Sequence, residues 1–104
     1  RVIARAGVGY DGVDVDAATD HGVVVTIAPG TNHDAVAEHT FALILALAKS
    51  VVPQHTKILQ GEWPRRANYP LRGQRLGVLG LGRAGKAVAR LGRAFGMSVV
   101  AFDP

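Results

Sequence analysis

The stretch LGVLGLGRAGKAVARLGRAFGMSVVAFDP, running from Leu76 to Pro104, carries the reading from which the rest of the chain is interpreted. Leu76-Gly77-Val78-Leu79 has the apolar character of a buried parallel strand and runs directly into Gly80-Leu81-Gly82-Arg83-Ala84-Gly85, a G-x-G-x-x-G turn. Behind it Ala84, Ala87, Val88, Leu91 and Phe95 recur at helical spacing, while Lys86, Arg90 and Arg93 fall on the opposite side. A helix is therefore expected to open at the last glycines and to end at Gly96. Ser98-Val99-Val100-Ala101-Phe102 is a second apolar, β-branched run, followed by Asp103, 18 residues after Gly85. That spacing is close to the ~20 residues that separate a glycine turn from a ribose-binding acid.

Strand, glycine turn, helix, strand and acid together describe a site for a dinucleotide. Gly80 is expected to permit the tight turn out of the strand, Gly82 to let backbone approach a pyrophosphate, and Gly85 to let helix pack closely on strand. The Arg83 and Ala84 N–H groups then face the phosphates at the positive end of the helix dipole. Asp103 is expected to accept hydrogen bonds from the adenosine ribose hydroxyls. A carboxylate there repels a 2′-phosphate, so the expected cofactor is NAD and not NADP.

The 104 residues suffice for one small domain but not for a complete two-domain enzyme. The absence of cysteine excludes disulfides, thiolate metal sites and a cysteine nucleophile. No charged leader with an apolar stretch and cleavage site opens the sequence, and the longest strongly apolar run is Phe41 to Ala48. That run is far below the ~18 residues that span a bilayer, so a cytoplasmic protein with no membrane partner is expected. Residues 1–50 hold three Arg or Lys against six acids and residues 51–104 hold nine against two, which gives the net charge of +4. Because Lys86, Arg90 and Arg93 lie on the polar face of the predicted helix, with only Trp63 and Tyr69 as nearby aromatics, this charge reads as a solvated helix face and not as a nucleic-acid site.

Arg1 to Arg5 starts in a strand-like pattern without a cap, so the first residue is expected to lie inside a larger fold. After the loop Ala6 to Gly12, Asp14 or Asp16 is placed to cap a short helix through Asp20, closed by Gly22. Val23 to Ile27 is a short strand, and Pro29-Gly30 a turn. Gly7-Val8-Gly9 thus sits at the carboxyl end of a strand, where open α/β sheets place ligands. Its N–H groups are suited to a carboxylate, although glycines there also serve a plain tight turn.

Thr31 is placed to cap the next helix, with Asp34 at the acidic position of a capping-box-like arrangement. Phe41 to Ala48 is apolar on every face, which requires cover from several sides, by another subunit or by a larger domain. Pro53 is expected to interrupt this helix, and Gln54 to Gln60 to resume it until Gly61. Trp63 to Arg75 reads as a polar connector anchored by packing of Trp63. His21, His33, His39 and His55 lack metal-ligand spacing, so no metal site is expected.

These segments resemble the NAD-dependent D-isomer-specific 2-hydroxyacid dehydrogenases, most closely the branch acting on 3-phosphoglycerate. The carriers are Arg5 to Asp11, Gly22 to Ile27, Ala28 to Asn32, Val36 to Thr40, Gly61-Glu62-Trp63, and Leu79 to Gly85 with Phe102 to Pro104. The resemblance implies an α/β fold, a partial Rossmann-like doubly wound parallel sheet truncated at both ends. Residues 1–30 correspond to the end of the first substrate-domain segment, a β-α-β unit. Residues 31–104 correspond to the crossing and dimer helix and the first half of the NAD-binding domain. By the same resemblance Val8 and Gly9 present backbone groups to the substrate carboxylate, and Asn32 matches a position that touches substrate in some members. Gly80, Gly82, Arg83, Ala84, Gly85 and Asp103 hold NAD, and copies pair as a homodimer through the helix of residues 33–50. Gly12 departs from the asparagine that the family often carries after the loop aspartate.

The activity implied is hydride transfer between NAD(H) and a D-2-hydroxy or 2-oxo acid. The family's catalytic arginine, its acidic partner and its proton-exchanging histidine fall after the ribose-binding acid. No catalytic residue is therefore expected within these 104 residues, and the chain alone is expected to be inactive. A different class also fits: a non-enzymatic NAD-sensing or protein-interaction module similar to the dehydrogenase-like corepressors.

Overall fold

A computed structural model describes all 104 residues, in the order β1 (Val2–Ala4), α1 (Val15–Asp20), β2 (Val24–Thr26), α2 (His33–Ala48), α3 (Val51–Leu59), β3 (Arg75–Leu79), α4 (Arg83–Ala94) and β4 (Ser98–Phe102). The α/β class with parallel strands is as the sequence predicts. The chain divides into two compact units, Arg1–His33 and Asp34–Pro104.

In the first unit β1 and β2 pair in parallel, Val2 opposite Val24 and Ala4 opposite Thr26. The α1 crossover makes this pairing possible, because parallel neighbours cannot be joined by a tight turn. Asp14 is the cap, its Oδ1 accepting the Ala17 N–H at 2.9 Å. At the other end Gly22 takes φ +61°, and the Gly22 and Val23 N–H groups donate to Thr19 O and Ala18 O, closing the helix as a glycine after the last turn does. Ala18 is the buried residue of α1. The loops that follow β1 and β2 are joined by the Ala28 N–H donating to Gly7 O at 2.9 Å.

Thr31 does not cap α2. Its hydroxyl donates to Ala28 O at 2.9 Å, because the turn through Gly30 at φ +83° folds the chain back on itself, and the helix begins two residues later at His33.

In the second unit β3 and β4 pair in parallel from Arg75 opposite Ser98 to Leu79 opposite Phe102. The α4 helix crosses between them and lays Ala87 and Gly92 against the sheet. At Gly92 an added Cβ would meet Leu76 Cδ2 at 2.7 Å and Val99 Cγ2 at 3.3 Å, so the lack of a side chain sets the spacing between helix and sheet. The core here is small: Ala37, Phe41, Leu71, Val78 and Ala87 are buried. Phe41 of α2 stacks on Phe95 just past α4, with ring centroids 5.1 Å apart and planes within 5°.

The break after α2 lies at Ser50 and not at Pro53. Ser50 adopts the left-handed conformation, φ 52° and ψ 40°, and α3 leaves at 61° to α2. Pro53 sits inside the first turn of α3, where helix N–H groups have no partner and the missing donor is harmless. The corner is tied to the connector by Lys49 Nζ donating to Tyr69 O at 2.8 Å and Ser50 Oγ donating to Asn68 Oδ1 at 3.1 Å. These bonds, together with buried Leu71, do the anchoring expected of Trp63, whose indole is 78% exposed. Within the chain Phe41 closes one side of α2, while Leu43 and Leu47 on other sides remain exposed. No single helix is long and apolar enough to cross a membrane.

Replacing Phe41 with Ala removes a ring that is 3% exposed and stacked on Phe95. The expected loss is about 3 kcal/mol of unfolding free energy, read from a urea titration by far-UV circular dichroism.

Candidate functional site

The turn between β3 and α4 uses each of its glycines differently. Gly80 takes φ +89°, a conformation that L side chains rarely adopt, and so turns the chain out of the strand. Gly82 is the cap of α4 in extended backbone, φ −66° and ψ −164°, and an added Cβ there meets nothing within 4 Å. The space in front of Gly82 is thus open to a ligand. Gly85 is the opposite case: a Cβ would lie 2.0 Å from Gly80 O and 3.3 Å from Val78 Cγ1.

The first helical bond of α4 is donated by the Lys86 N–H to Gly82 O at 2.9 Å. The Arg83 and Ala84 N–H groups consequently stand outside the helical ladder, at the end where the dipole is positive. The Arg83 side chain is exposed. Lys86, Arg90 and Arg93 occupy the solvent face of α4, and Arg90 Nη2 lies 3.5 Å from Asp34 Oδ1. At this exposure the pair contributes no more than ~1 kcal/mol.

Asp103 closes the arrangement from the neighbouring strand. The β3–β4 ladder is extended by the Gly80 N–H donating to Phe102 O at 2.8 Å, and the next N–H along, that of Leu81, donates to Asp103 Oδ1 at 2.8 Å. Gly80, Gly82, Arg83, Ala84, Gly85 and Asp103 are therefore gathered at the carboxyl end of one parallel pair. Open backbone before Gly82, N–H donors outside the helical ladder and an exposed carboxylate acceptor are a set of groups that fits a pyrophosphate joined to a ribose.

Val8, Gly9 and Asn32 belong to the first unit, in the loops that follow β1 and β2. The Val8 and Gly9 N–H groups take part in none of the backbone hydrogen bonds of that loop, whose bonds run from Gly7 and Val13 to Arg5 and Tyr10 carbonyls. Of the histidines, His21 has Nδ1 2.9 Å from Ala17 O at the end of α1, and His39 and His55 are exposed on α2 and α3. Two participants escaped the reading of the sequence. The Leu81 N–H has no signature in residue type, and Gly92 is signalled only as a glycine inside an amphipathic helix pattern.

A family model described as D-isomer specific 2-hydroxyacid dehydrogenase, catalytic domain, matches residues 1–102. The chain belongs to that dehydrogenase family. It is 45% identical, over 106 aligned positions covering the whole chain, to the D-3-phosphoglycerate dehydrogenase of Bacillus subtilis, of which it spans 20%. Its fold superposes on a crystal structure of a Thermus thermophilus protein with TM-score 0.92 and 41% identity, covering 100% of this chain and 36% of that one. It also superposes on the D-lactate dehydrogenase of Aquifex aeolicus, whose crystal structure is complexed with NAD and lactic acid. There the TM-score is 0.86 at 36% identity, over 99% of this chain and 32% of that one. The chain thus spans about a fifth to a third of the length of these dehydrogenase-family relatives.

The two glycines separate in experiment. Gly85→Ala forces a methyl into the Gly80 carbonyl and is expected to lower the melting temperature by more than ~5 °C. Gly82→Ala, in extended backbone with open space, is expected to leave it unchanged. Differential scanning calorimetry of the two variants makes the comparison.

Proposed function

We propose that this chain is the dinucleotide-receiving part of an oxidoreductase that transfers hydride between NAD(H) and a D-2-hydroxy acid, 3-phosphoglycerate being the substrate best supported. The observation that carries the reading is the Asp103 carboxylate held at the mouth of a glycine turn, with Gly82 open before it. The name of the Bacillus subtilis relative supports the substrate assignment. Residues 1–30 form the end of a substrate-domain segment, and residues 31–104 the crossing and dimer helix with the first half of the NAD-binding domain.

Each group has a defined task in this reading. The Arg83 and Ala84 N–H groups, with the Arg83 guanidinium beside them, neutralise the pyrophosphate, and Gly82 admits it to backbone distance. Asp103 accepts from the ribose hydroxyls. NAD, when bound, supplies the hydride acceptor, and NADH the donor. Val8 and Gly9 offer N–H groups to the carboxylate of the 2-hydroxy or 2-oxo acid, and Asn32 offers an amide to the same ligand. In this reading the family's proton-exchanging histidine lies outside the 104 residues, in keeping with the absence of all four histidines from the 7–12 loop and the 80–85 turn. The 104 residues on their own bind and orient without turning substrate over.

Homodimerisation through α2 belongs to the same reading. It is supported by the all-round apolar character of Phe41 to Ala48 and by Leu47, which is 82% exposed. Leu47→Glu is expected to shift the protein from dimer to monomer in analytical ultracentrifugation.

Titration calorimetry with NADH and NADPH tests the cofactor reading. NADH is expected to bind at least tenfold more tightly, and Asp103→Arg to reverse the order. Equal affinity for the two cofactors in the native protein would overturn it.

A further inference from the structure

We infer that Asp103 has a second task, as a positioning residue for the phosphate end of the site. The inference rests on the dinucleotide reading and concerns an oxygen which that reading leaves unassigned. Asp103 Oδ1 accepts the Leu81 N–H at 2.8 Å, and Leu81 lies between the two glycines that form the turn.

The parallel ladder explains what this bond does. Its rungs run in register from Arg75–Ser98 to Leu79–Phe102, and the Gly80 N–H adds one more by donating to Phe102 O. Beyond Phe102, β4 has ended, and the turn at Gly80, φ +89°, swings the Leu81 N–H to the same side as the Gly80 N–H, toward the departing strand. The Asp103 side chain supplies the acceptor there, so the ladder continues by one rung into the turn. This rung is the last fixed point before Gly82, where the backbone must present its N–H groups to an anion. Gly80 at φ +89° gives the turn its shape but no rigidity, since glycine loses more conformational freedom on ordering than any other residue. The carboxylate therefore holds the segment that the phosphates meet. Oδ2 and the free lone pair of Oδ1 remain for the ribose.

The two tasks predict different behaviour toward an anion that has no ribose. Asp103→Asn and Asp103→Ala remove the same negative charge, so electrostatic repulsion of a phosphate changes equally in both. Only Asn keeps an acceptor oxygen for the Leu81 N–H. Asp103 is exposed and follows the last strand, so both variants are expected to fold.

The probe is inorganic pyrophosphate, titrated into ¹⁵N-labelled native protein and both variants, with amide exchange of Leu81 measured in the absence of ligand. Asp103→Asn is expected to bind pyrophosphate about fivefold more tightly than Asp103→Ala, the factor that corresponds to one hydrogen bond. Leu81 exchange is expected to quicken by about the same factor in the Ala variant and to stay near the native rate in the Asn variant. Equal pyrophosphate affinity in the two variants, or equal Leu81 exchange in all three proteins, overturns the inference. Native protein that takes up neither NADH nor pyrophosphate overturns the dinucleotide reading instead, and the exchange rates then decide by themselves whether Asp103 holds the turn.

Discussion

The approach of α4 to the Gly80 carbonyl is the constraint on which the second unit depends. A Cβ at position 85 would lie 2.0 Å from that oxygen, a distance that no packing adjustment absorbs because the atom it meets is backbone. Closeness here fixes the rest in sequence. It brings the first turn of α4 onto the end of β3, so that Ala87 and Gly92 settle on the sheet and Phe95 reaches the ring of Phe41. It also aims the positive end of the helix at the space before Gly82. One missing methyl group therefore links packing to ligand chemistry, whereas a Cβ added at Gly82 or at Gly7 would meet nothing within 4 Å.

The surfaces left open belong to the same architecture. The face of the β3–β4 pair away from α4 carries Leu79, 87% exposed, opposite Phe102, and α2 and α3 expose Leu47, Val52 and Leu59. Doubly wound sheets are covered on both faces and continue beyond two strands. The exposed apolar positions lie in a chain that spans only part of the length of its relatives.

Much of this was legible in the residues, and for identifiable reasons. The glycine turn could be read because φ +89° at Gly80 and the tight contact at Gly85 each demand a residue without Cβ. The α1 cap, narrowed by residue type to Asp14 or Asp16 and found at Asp14, and the Gly22 and Gly61 helix ends are local events within four residues of chain. Trp63 went the other way. An indole in a polar connector invites a packing role, but the connector is held by backbone and amide groups meeting Lys49 and Ser50, a pairing 18 to 20 residues apart that leaves no pattern in the sequence. The helix break escaped for a related reason. Pro53 carries the stronger local signal, yet a proline in a first turn is harmless, and it is Ser50 that departs from helical backbone. The Leu81 bond to Asp103 was illegible because its donor is main chain and its partner is brought near only by strand register.

The register of the two strand pairs bears on how the chain comes to be folded. Val2 meets Val24 across 22 positions of sequence, and Arg75 meets Ser98 across 23. Parallel pairing demands a crossover of at least a dozen residues; the first unit makes it with the 5–14 loop and α1, the second with the 80–82 turn and α4. The entropy of closing such loops grows only with the logarithm of their length, so the two closures impose nearly the same penalty on the search. Neither waits for distant sequence. Each β-α-β segment closes its strand pair within its own stretch of sequence, which keeps the contacts of the chain local.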